Sequence, residues 1–241
     1  MGPRPSYKRG QGAINRMNNS DLHYAIINSF IERQCAPSID SLATKFDYDR
    51  DEVVTALDAL ADYHGVVLHP TTREVWVAHP FSSTPTPFIV RSGTKRWWGN
   101  CAWCSLGLVH LIGGSATIET RIGGIGDPIE IRLENGKLID DELVVHFPMP
   151  MKSAWDSVIY TCSLMLVFRS EVEVDDWCTV RSLPRGDARP IQQIWNFASE
   201  WYSRHADRNW EKWSVAEAIE IFRRHHLTHP VWQIENDGGR F

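Results

Sequence analysis

The sequence predicts an α+β protein: a winged-helix-like module of three helices and a hairpin, followed by an antiparallel-sheet domain with packed helices. Three observations lead there. Apolar residues between Asp21 and Ala61 recur at helical spacing behind capping residues. Short alternating runs between Thr117 and Phe168 are separated by the turn-forming strings GGIGDP, ENGK and MPMKSAWD. Helical apolar stripes then return after Pro190.

Leu22, Ala25, Ile26, Ser29 and Phe30 share one helical face, and Pro37 biases the chain out of that helix, which is expected to reach Gln34. Ser38 caps a short helix ending near Phe46. Asp49 and Glu52 form a capping-box pattern ahead of Val53, Leu57 and Leu60. Gly65 breaks that helix, and Val66–Leu68 and Glu74–Val77 alternate around HPTTR as a hairpin would. The Ser, Thr and Pro of residues 81–87 read as a linker. Beyond it, 117–122, 128–133, 143–147 and 162–168 read as strands. Ile191, Ile194, Trp195, Ala198, Trp201 and Tyr202 form a helical stripe, and Ser214 with Glu217 opens a closing helix. The expected organisation is a disordered basic tail over 1–18, the winged-helix-like module over 19–80, the linker, a main domain over 88–205 and a C-terminal helical extension over 206–241.

With 43% hydrophobic and 23% charged residues in 241, the composition is that of a folded, soluble chain. A net charge of -5 gives no general attraction for phosphate backbones. The would-be DNA-reading helices oppose it further, since Lys45 and Arg50 stand against Asp40, Asp47, Asp49, Asp51, Glu52, Asp58 and Asp62. DNA is therefore not the expected partner. Neither is a membrane, for no apolar run has the length to span one, and a cytoplasmic location follows as the expectation. The sequence is silent on oligomeric state.

Without a secretion signal, the five Cys are expected as reduced thiols. The densest chemical signal is WWGNCAWCSLGLVHLIGG, where Asn100 can cap a helix whose first turns hold Cys101 and Cys104 on one face. There the helix dipole favours the thiolate, hence nucleophilicity and affinity for soft metals. A structural zinc site would want a second close pair, and Cys162 and Cys178 do not form one. A redox pair would want a preceding strand in a βαβ unit, and burial as small hydrophobes among Trp97, Trp98 and Trp103 is the plain alternative. The string HHLTHP, with His225, His226 and His229, reads as a helix end, and RIGGIGDP lacks the lysine of a phosphate loop.

The segment AWCSLG, containing Trp103 and Cys104, resembles the AWCALD motif of the organomercurial (alkylmercury) lyases. The later YTCSLMLVFRSEVEVDDW, with Cys162 and Trp177, resembles their second motif, and the order of elements agrees across roughly residues 20 to 205. The resemblance implies an alkylmercury-lyase-like fold, a lyase activity on a small molecule without a cofactor, and Cys104 and Cys162 as the thiols that take up mercury from the substrate. Two thiolates suit a soft metal and weaken its bond to carbon. The family also carries an Asp three residues after its first Cys as proton shuttle, and here that position is Gly107. Gly107 is expected to open space beside Cys104, with Trp103, Ser105 and Cys101 lining the same pocket. The proton would then come from a thiol, Ser105, Asp156 or water. Two alternatives stay open: a diverged enzyme using the same Cys site on a non-mercurial organic substrate, and a non-catalytic soft-metal binding or sensing protein.

Overall fold

The computed structural model describes residues 18–241, so nearly all of the expected basic tail lies outside the described residues. Three helices come first: α1 (Asn19–Arg33), α2 (Ile39–Phe46) and α3 (Arg50–Asp62). The starts of α2 and α3 are those of the capping reading, and Asn18 caps α1. Asn18, Ser38 and Asp49 each accept a backbone N–H of the first turn, and Asp49 and Glu52 complete a reciprocal box. The Glu74 carboxylate adds a bond from the Ile39 N–H at 3.1 Å, tying the start of α2 to the following hairpin.

That hairpin, β1 (Val67–Leu68) with β2 (Val75–Ala78), does not stand as a separate wing. β2 pairs onward with β3 (Phe81–Ser82), and β3 pairs with β5 (Lys95–Gly99), so the hairpin is the edge of the main sheet. With β4 (Ile89–Ser92), β6 (Ala116–Arg121), β7 (Pro128–Glu134) and β8 (Lys137–Leu138) the sheet runs β1-β2-β3-β5-β4-β6-β7-β8. Residues 81–87 are therefore not a free linker at their start. Phe81 is fully buried and stacks on Phe30 of α1 with ring centroids 5.0 Å apart. Trp97 on β5 also donates to the Phe30 carbonyl at 2.6 Å, and one hydrophobic core runs from α1 to the C-terminal helices. The start of this stretch thus supplies a ladder strand and a core aromatic.

At the centre lies α4 (Ala102–Leu111), whose side chains are buried continuously from Ala102 to Val109. A helix apolar on all sides must be covered on all sides. The sheet covers one side, and α7 (Ile191–Trp201) covers another. A second sheet, β10-β9-β11, is built from β9 (Val144–Phe147), β10 (Val167–Phe168) and β11 (Asp187–Pro190), with α6 (Glu171–Arg181) between the last two in sequence. The chain closes with α8 (Val215–Arg224), opened by the expected Ser214–Glu217 box.

Two local expectations are corrected. Residues 162–168 do not form one strand: α5 (Val158–Leu164) carries Cys162, and only Val167–Phe168 are extended. Cys101 rather than Asn100 caps α4, its Sγ accepting the Cys104 N–H at 3.3 Å. Among the described residues no helix is long and apolar enough to cross a membrane.

Gly107 faces α7 at close quarters. A Cβ there would lie 2.0 Å from Tyr202 Cδ2, and Tyr202, at the C-terminus of α7, is itself 1% exposed. On a free helix, Gly→Ala gains about 1 kcal/mol. Here overpacking against an immobile ring, typically about 1–3 kcal/mol, opposes that gain. Gly107→Ala is expected to lower stability in urea unfolding, and Gly107→Ala with Tyr202→Ala to fall short of the sum of the single losses; a Gly107→Ala protein as stable as wild type would exclude this contact.

Candidate active site

Cys104 is the third residue of α4, in the first turn, where the helix dipole favours negative charge on its sulfur. α5 brings Cys162 opposite it, and the turn between β2 and β3 brings His79. The two Sγ atoms and a ring nitrogen of His79 all lie within 4.8 Å of one another. Cys162 Sγ sits 3.9 Å from His79 Nε2, and the Asn100 amide nitrogen, which can only donate, sits 3.4 Å from the same Nε2. Accepting from Asn100 makes Nε2 the ring nitrogen that carries the lone pair. A nitrogen and two sulfurs are donors for a soft or borderline cation.

Tyr202 completes the cluster, its hydroxyl 3.4 Å from Cys104 Sγ. Burial pushes the Cys104 thiol up, but contacts from the Cys101 and Cys162 thiols, the field of His79 and the Tyr202 hydroxyl outweigh it and hold Cys104 well below its ordinary range. Cys162 moves well up, through its contacts with Cys101 and Cys104 and through burial. Cys101 also rises, with burial as the leading cause, and so does Tyr202, where the negative field of Cys104 adds to burial. Packed thiols share one negative charge, and it settles on Cys104 because the donors converge there.

The cluster opens onto a pocket walled mainly by aromatic rings, including Trp103, Trp155, Trp201, Trp210 and Phe241. Of the residues expected here, Trp103, Cys104 and Cys162 line it. Cys101 lies behind, capping α4 and donating toward Met165 Sδ at 3.8 Å. Ser105 is turned away, with its hydroxyl on the Cys101 carbonyl at 2.7 Å and its side chain packed on Gly99. Gly107 opens no cavity, because the ring of Tyr202 fills the space its missing side chain leaves. Asp156 is exposed and not in this wall. The HHLTHP histidines gather no cation site either: His225 bonds Glu200 at 2.6 Å and His229 caps the Val231 N–H.

Sequence reasoning missed His79, Tyr202, His23, His205 and Lys212. No local pattern marks them, since each reaches the pocket from a different element, and Tyr202 reads simply as part of an apolar stripe. His23 and His205 are buried, and burial lowers both, His205 to about 3, so both rings are neutral. Lys212 is 6% exposed and burial brings its ammonium down to about 8.

Two outcomes follow. At neutral pH, substoichiometric iodoacetamide is expected to modify Cys104 ahead of Cys101 and Cys162 by peptide mass spectrometry; preferential labelling of Cys162 would contradict this charge assignment. Lys212 titrates lower in the folded than in the unfolded chain, whose lysines ionise near about 10.4. Between those values the unfolded chain binds the extra proton, so this contribution makes stability rise with pH. Lys212→Met is therefore expected to be more stable than wild type at pH 7, by a margin that shrinks toward pH 10; a margin independent of pH would refute it.

The alkylmercury lyase family model matches residues 81–203, the span that holds Cys104, Cys162 and Tyr202. A crystal structure of the mercury-bound form of MerB2 superposes with a TM-score of 0.64 at 21% identity, covering 78% of this chain and 91% of that one, which shows a shared fold. No curated protein matches the sequence.

Proposed function

The chain belongs to the alkylmercury lyase family, and from that premise we propose that it is a thiol-dependent lyase cleaving the metal–carbon bond of an organomercurial. The observation that carries this reading is the meeting of Cys104, Cys162 and His79 within 4.8 Å beside an aromatic pocket. The aromatic walls suit an apolar organic group, and the cluster suits the soft metal it carries.

In the first step the Cys104 thiolate forms a bond to mercury and displaces the ligand opposite the organic group. Cys162 then binds the same mercury as its thiol gives up a proton. The mercury–carbon bond breaks with its electron pair on carbon, and carbon takes one proton. The net change is R–Hg–S plus one thiol giving R–H and a mercury held by two sulfurs, so atoms and charge balance.

Tyr202 is the proton carrier best supported. Its hydroxyl already touches the attacking sulfur at 3.4 Å, and burial with the Cys104 charge keeps it protonated until carbon needs the proton. The proton released by Cys162, held meanwhile on His79 Nε2 3.9 Å from that sulfur, then restores the phenol. The phenol thus reaches Cys104 in the space left by Gly107, the position where the motif's resemblance leads one to expect a carboxylate.

The test is conversion of phenylmercury to benzene, followed by gas chromatography with excess small thiol. Wild type is expected to release benzene and Cys104→Ala and Cys162→Ala to fall to background. Tyr202→Phe is expected to lower kcat by about 10²–10⁴-fold, the usual worth of general-acid help, while still binding mercuric ion. Wild type binding mercuric ion without releasing benzene would replace this reading with that of a soft-metal binding protein; an undiminished Tyr202→Phe would remove the phenol from the mechanism.

A further inference from the structure

Lys212 stands in the pocket wall as a cation without an anion. It is 6% exposed, and among the described residues no Asp or Glu side chain comes within ion-pair range of it or lines the pocket. Its Nζ meets the lone-pair side of His64 Nδ1 at 3.4 Å and lies 4.6 Å from the centre of the Trp155 ring. An ammonium has three donors, and one of them is matched here. The ring face attracts the charge and holds the side chain in place but accepts no full hydrogen bond. Buried charges are ordinarily paired, so an unmatched one facing a cavity marks where a ligand's opposite charge belongs.

Two further polar groups in the same wall are unspent. His23 and His205 line the pocket with Nδ1 atoms that are buried and lack a hydrogen-bond partner. Neither ring moves freely, since His23 stacks on Trp210 at 3.5 Å and His205 packs on Tyr202 at 4.7 Å. Lys212, His23 and His64 also lie outside residues 81–203, whereas both reactive cysteines lie inside them. The reacting sulfurs thus come from the stretch the family model matches, and the charged part of the wall from the stretches before and after it.

We propose that Lys212 forms an anion subsite, and that the substrate is an organomercurial whose organic group carries a carboxylate. The aromatic rings enclose the body of that group, Nζ pairs with its anionic end, and the mercury lies at Cys104. This inference rests on the lyase reading for the metal, but the anion subsite can be measured without any metal.

The test uses the whole chain as wild type, Lys212→Met and Lys212→Arg. Quenching of the pocket tryptophans is titrated with benzoate and with benzamide, its neutral isostere. Wild type is expected to bind benzoate about tenfold more tightly, Lys212→Met to lose the preference and Lys212→Arg to keep part of it. In the coupled assay, kcat/KM for 4-carboxyphenylmercury over phenylmercury is expected to show the same ratio in wild type and its collapse in Lys212→Met. Equal binding of the two probes by wild type, no quenching by benzoate at millimolar concentration, or a preference that survives in Lys212→Met would each overturn the subsite. A benzoate preference dependent on Lys212 together with no cleavage of either mercurial would uphold the subsite and overturn the lyase reading.

Discussion

The absence of one side chain, at Gly107, sets the geometry on which the site depends. α4 is buried on every side, so what covers it must match its surface closely, and α7 does so by laying the Tyr202 ring where a Cβ would stand. The ring is boxed in by Trp103 at 5.7 Å and His205 at 4.7 Å, which leaves its hydroxyl little choice of partner. It meets Cys104. A packing contact between two helices thereby places a phenol hydroxyl on the buried thiol whose ionisation its neighbours favour, and the proposed chemistry inherits its precision from the core rather than from a loop.

The charge arrangement follows from the same crowding. Three thiols, a phenol and an imidazole are buried together, and a low-polarity setting resists more than one charge. Side-chain donors converge on Cys104 and so place the charge near the start of α4. Cys101 contributes from behind. As the cap of α4 it fixes the first turn, and its thiol helps to keep Cys104 ionised while taking no place in the pocket wall. That separates two cysteines which in sequence look like an equivalent pair.

The segments before and after the family-matched residues are not appendages. α1 sends His23 into the pocket, the end of α3 sends His64, and the stretch before α8 sends Trp210, Lys212 and Trp213. They can do so because β2 passes directly into β3 and one core joins both ends of the chain. The sulfurs and the charged groups of the wall thus belong to different stretches of chain.

Much of the fold was legible from local patterns. The three opening helices, the hairpin, the Ser214–Glu217 box and the Cys104 helix all announce themselves through capping residues and apolar spacing, which act within a few residues. The pair Cys104 and Cys162 was legible only through its likeness to known motifs. What tertiary structure alone decided is everything that depends on which surfaces meet. The 81–87 stretch looks like a linker because Pro, Ser and Thr dominate it, yet the interior of the main sheet and Phe30 claim its first residues. The run around Cys162 looks like a strand because it is apolar, yet burial permits a helix as readily. Gly107 reads as empty space in sequence, since a sequence records the missing side chain and not the ring that comes ninety-odd residues later to fill it. His79, Tyr202 and Lys212 carry no local signal because their roles are distances to other elements, and distance is set by packing.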